Sequence, residues 1–96
     1  MSEPEAERSR FVVRIQAGEE CFSVPCERAI VGMKGLFVRN LQLVVGTPVV
    51  IQVCKKQQAV TLAGVVCANY PDLGLAIEFQ EKTGRAGRQL ATLLAT

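Results

Sequence analysis

Between Phe11 and Phe79 the chain is cut into short stretches in which apolar and polar residues alternate, separated by clusters of turn-forming residues. A period of two buries every second side chain, the signature of strands with one face in a core. Phe11, Val13 and Ile15 alternate with Val12, Arg14 and Gln16. Phe22, Val24 and Cys26 follow on a second strand at about 20–26, with Cys21 and Ser23 on its other side. Leu36 and Val38 begin a short third strand after the stretch 27–35, whose two glycines, Gly32 and Gly35, indicate an irregular crossing. Val49, Ile51 and Val53 define a fourth, and the polar run 55–58 turns the chain into a fifth at about 59–68, where Gly64 marks a bulge or bend. After the turn signal Asn69-Tyr70-Pro71-Asp72, residues Leu73, Leu75, Ile77 and Phe79 give the sixth. The period then changes. Ala86, Leu90, Leu93 and Leu94 fall on one stripe of a helix at about 84–95, with Thr83 as its candidate cap. The expected architecture is mainly β: a six-stranded antiparallel β-barrel with a C-terminal helix, over residues 10–96, preceded by a flexible arm at 1–9.

With 96 residues there is room for one domain. Trp is absent and aromatics are few, so the core must be aliphatic. A net charge of +2 is too small to indicate nucleic acid, and exposed aromatic pairs for base stacking are lacking. No apolar run approaches a membrane span and residues 1–10 lack the order of a secretory signal, so the expected location is cytoplasmic. His is absent, which removes the commonest catalytic triad and the usual zinc ligands; no enzyme, metal or cofactor is expected. Cys21, Cys26, Cys54 and Cys67 have no C-x-x-C spacing and read as small apolar side chains in or near the core. Gly84 to Arg88 has the look of a phosphate loop but lacks the lysine-serine/threonine ending. Met33, Phe37 and Val50 fall outside the inward parity, as an apolar contact patch or, if a bulge shifts the parity, as core.

Three stretches, in this order, resemble the PilZ family: Gly35-Leu36-Phe37-Val38, Val45-Gly46-Thr47-Pro48-Val49, and Leu73-Gly74-Leu75-Ala76-Ile77-Glu78-Phe79. The resemblance spans roughly residues 8–94 and implies a six-stranded barrel with a terminal helix. Members that bind cyclic di-GMP have an R-x-x-x-R arm before the first strand and a D/N-x-S-x-x-G loop after the second. Arginine forks reach guanine O6 and N7 and neutralise phosphate, an acid or amide accepts from guanine's other edge, and the serine adds a hydroxyl.

Aligned on Gly35, this chain has Ile30 in place of the acid or amide and Gly32 in place of the serine. Arg10 and Arg14 satisfy the arm literally; a second alignment makes Arg10 the later arginine and puts Ala6 in the earlier place. On a regular strand, Arg10 and Arg14 stand about 13 Å apart. Losing one charged hydrogen bond costs about 1.5–3 kcal/mol and one neutral bond about 1 kcal/mol. Together they weaken binding by roughly a hundredfold to a thousandfold. The resemblance therefore implies a non-enzymatic regulatory or adaptor domain in bacterial motility or signalling, acting through a protein partner, with weak or absent cyclic di-GMP binding. The alternative is a genuine cyclic di-GMP receptor with a variant motif, using Arg8, Arg10, Arg14, Lys34 and Gly35.

Overall fold

The computed structural model describes residues 11–80 and 85–95. They form one seven-stranded antiparallel sheet, curled into a half-barrel, and one helix. In chain order the strands are β1 (Val12–Ala17), β2 (Glu20–Pro25), β3 (Ala29–Val31), β4 (Gly35–Arg39), β5 (Pro48–Lys55), β6 (Gln58–Tyr70) and β7 (Gly74–Phe79). The helix α1 spans Arg85–Ala95. Across the sheet the order is β2-β1-β5-β6-β7-β4-β3.

Alternation decides which side chains face inward. Val13 and Ile15 of β1, Leu36 and Val38 of β4, Val49, Ile51 and Val53 of β5, and Leu75, Ile77 and Phe79 of β7 are all buried. Leu90 and Leu93 of α1 close over this concave face, with Leu94 packed at the margin. At Gly64 of β6 a side chain has no room: an added Cβ would lie 2.8 Å from Ile77 Cγ2 and 3.1 Å from Ile51 Cδ1. The glycine thus serves close packing across the sheet. The bulge lies further on, where the β6–β7 register shifts between Val66 and Ala68.

The architecture departs from a closed six-stranded barrel in two respects. The extra strand is β3, in the stretch expected to be irregular. Ala29 and Val31 pair with Val38 and Leu36, and Ala29 is buried, but three residues are too few to display a period. The barrel is open, with β2 and β3 as its two edges. The chain leaves β2 through a single 3-10 turn, Cys26–Arg28, and not through a hairpin, and Pro25 ends β2 with no N–H to donate.

Smaller expectations change as well. Leu73 belongs to the turn before β7 and is exposed, because β6 continues through Asn69 and Tyr70. None of the four cysteines is buried: Cys21 and Cys67 are exposed, Cys26 and Cys54 half-buried, and all are free thiols. Cys54 alternates with buried Val53 and Lys55, and Cys67 sits in the bulge, so both are carried away from the core. Arg85 to Arg88 are helical, not a phosphate loop. Thr83 and Gly84 lie outside the described residues, as does the arm at 1–9. No helix among the described residues is long and apolar enough to cross a membrane.

Candidate functional site

The stretch that resembles the motif loop, Ile30 to Gly35, falls on the hairpin between β3 and β4. Ile30 pairs with Phe37, and the Gly32 N–H donates to the Gly35 carbonyl at 2.8 Å, closing the turn. Since Ala29 points into the core, Ile30 points out, and it is 67% exposed. Gly32, Met33 and Lys34 are exposed at the tip. Gly35 has a structural reason to be glycine: a Cβ would overlap the Ile77 carbonyl oxygen of β7. Lys34 contributes backbone, its carbonyl accepting from the Phe79 N–H at 2.8 Å.

Arg14 lies elsewhere. It is exposed on the outer face of β1, flanked by Ser23 of β2 and Gln52 of β5. Between β1 and β3 there are five strand steps. Arg14 borders a concavity of about 470 Å³ with Phe11, Ser23, Cys26, Cys54 and Lys56. The concavity that Arg14 lines includes none of Ile30, Gly32, Lys34 and Gly35. Arg8 and Arg10 lie outside the described residues.

What surrounds Ile30 is apolar. Register carries a line across four strands, from Ile30 to Phe37, Ala76 and Ala68. Tyr70 leans on it, its ring centroid 5.9 Å from that of Phe37. Both Ile30 and Tyr70 count among the exposed large apolar side chains, and Met33, 61% exposed, flanks the row at the hairpin tip. Of the three residues read as a patch, Met33 and Phe37 lie on the β3–β4 hairpin, whereas Val50 lies on β5, three strand steps from Phe37. Tyr70, Ala76 and Ala68 complete the row and were not legible, because cross-strand register is not written in any one strand.

Comparison with family models, with curated proteins and with solved structures gave no match. The site is therefore argued from its own geometry. Among the described residues no group of His, Cys, Asp or Glu is placed to hold a metal. A second concavity, of about 620 Å³, lies between α1 and the start of β6, with Gln58, Val60, Arg88 and Gln89 among its walls.

The loop Asn40–Thr47 is pinned beside the same sheet end. The Asn69 side chain both donates to the Leu43 carbonyl and accepts from the Leu43 N–H, and Gln42 Nε2 donates to the carbonyls of Tyr70 and Gly74 at 3.2 Å each. At the other side of β4, the Arg28 guanidinium donates to the carbonyls of Arg39 and Asn40 at 3.0–3.2 Å. These clamps hold β4 and the end of β6, so the apolar row is presented on a fixed backbone.

Proposed function

We propose that the chain is a PilZ-like regulatory or adaptor module that works through protein contacts, with cyclic di-GMP bound weakly or not at all. One observation carries this reading. Where the nucleotide loop would present an acceptor and a hydroxyl, the β3–β4 hairpin presents Ile30, exposed and paired with Phe37, and Gly32, neither of which has a side chain that can hydrogen-bond to a purine. Exposed Ile30, Tyr70 and Met33 around a half-buried Phe37 have the composition of a protein-contact site. Motility or signalling as the setting rests on the family resemblance.

A second reading has its own support. Arg14, Lys56 and Ser23 line one concavity, with the Glu27 carboxylate also in its wall, at the point where the chain enters β1. There two cations and a hydroxyl would serve a phosphate. In that reading the chain is a cyclic di-GMP receptor with a displaced site.

Amide shifts separate the two. Titrated with cyclic di-GMP to roughly 10 µM, well below the range of a site weakened a hundredfold, the contact module keeps its spectrum. The displaced receptor shifts residues 11–14, 23 and 56, and the shifts fade as salt rises. Saturable shifts there at micromolar ligand would remove the first reading.

A further inference from the structure

The apolar row has a charge on each flank, and the two charges are opposite. Along β4 the outer face carries Phe37 and then, two residues on, Arg39; along β7 it carries Ala76 and then Glu78. Phe37 pairs with Ala76 in antiparallel register, Arg39 lies opposite Gly74, and Glu78 lies opposite Gly35. Arg39 and Glu78 therefore extend from the row in opposite directions along the strands, each roughly 7 Å from it. Both side chains are exposed, and neither forms an ion pair or hydrogen bond among the described residues. Lys34 lies beyond the start of β4 and makes no ion pair with Glu78.

We infer that this face binds a second copy of the chain, as a two-fold dimer whose axis runs along the row Ile30–Phe37–Ala76–Ala68. This inference rests on the protein-contact reading and names its partner. Two faces meeting about such an axis put each apolar residue of the row against its twin. The same rotation reverses the strand direction, which sets Arg39 over Gly35 of the second copy and Glu78 over its Gly74, each one strand from the opposite charge on that copy. Both pairs form at once, as a self-complementary interface requires. Turning the axis parallel to the strands would instead leave like charges facing, so the charge pattern selects one geometry. β4 and β7 are about 4.8 Å apart and packed sheets about 10 Å, a gap that Arg and Glu side chains span. The row supplies the dry centre, with the Phe37–Tyr70 ring pair as its anchor, and the charges supply the rim.

Charge exchange tests this directly. Sedimentation equilibrium of the full chain across a range of concentrations should show a monomer–dimer equilibrium. Arg39→Glu alone and Glu78→Arg alone should each weaken the dimer roughly tenfold or more. The exchanged pair, R39E with E78R, should restore it to within about threefold of the parent, since the rotation then brings the same attractions back. Phe37→Glu should leave a monomer. All of these positions are on the outer face, and far-ultraviolet circular dichroism confirms that each variant is folded. A parent chain that stays monomeric at millimolar concentration overturns the inference, as does an exchange that fails to rescue folded single variants. A monomer that ignores cyclic di-GMP removes the dimer alone, with the contact-module reading left standing. Tight nucleotide binding by an intact dimer does the reverse.

Discussion

Lys55 is the one charged side chain buried among the described residues, only 4% exposed. It ends the inward parity of Val49, Ile51 and Val53, and its Nζ reaches the Leu94 carbonyl at 3.1 Å. Leu94 lies in the last turn of α1, where carbonyls have no partner within the helix and the macrodipole is negative. The lysine thus fastens the helix to the sheet. Lys55→Met keeps the stem but removes a charge-assisted bond, and should lower stability by about 1.5–3 kcal/mol in a denaturant titration. The sequence 55–58 reads as a polar turn. The signal that would have separated Lys55 from Lys56 is parity continued one step past Val53. Gly64 makes the complementary prediction. Gly64→Val drives a branched side chain into Ile77 and Ile51, and should cost about 1–3 kcal/mol or more. Gly35→Ala is a poor probe of ligand binding for the same kind of reason. Its methyl would collide with β7 backbone, and a loss of function would report a broken sheet.

At the scale of elements, α1 is held by an apolar stripe and by Lys55. Leu90 and Leu93 are almost wholly buried. Leu90→Ala should therefore cost about 2–5 kcal/mol, measured by the same titration, with the spread set by how far the cavity collapses. Asn69→Ala removes both bonds to Leu43 and should cost about 2 kcal/mol, at about 1 kcal/mol per bond. β1, β5, β7 and the helix were legible in the sequence because each is long enough to show its period. β3 was not, having three residues. The end of β6 was not either: Asn69-Tyr70 is turn chemistry by composition, but Asn69 spends its amide on the neighbouring loop and Tyr70 its ring on Phe37. Leu73 was misplaced because parity extrapolates across a strand end without registering it, and Cys21 and Cys67 are exposed although free Cys is more often buried.

For the whole molecule, strand order sets Arg14 and the β3–β4 hairpin on different parts of the sheet. Arg14 lies on β1, beside one edge strand, and the hairpin includes the other edge strand, β3; through the sheet five strand steps lie between β1 and β3. The outer face is consequently divided, with a concavity bearing Arg14 and Lys56 toward one edge and the Ile30–Phe37 row toward the other. The apolar half of the motif's replacement, Ile30, was legible as a residue that cannot hydrogen-bond. That it joins Phe37, Ala76 and Ala68 in a surface could be read only from register. Calorimetric titration with cyclic di-GMP tests the central claim most directly. The account predicts no saturable heat below roughly 100 µM ligand, the range left once a micromolar site loses a hundredfold. Stoichiometric heat at low micromolar ligand, abolished by Arg10→Ala in a folded chain, would contradict it.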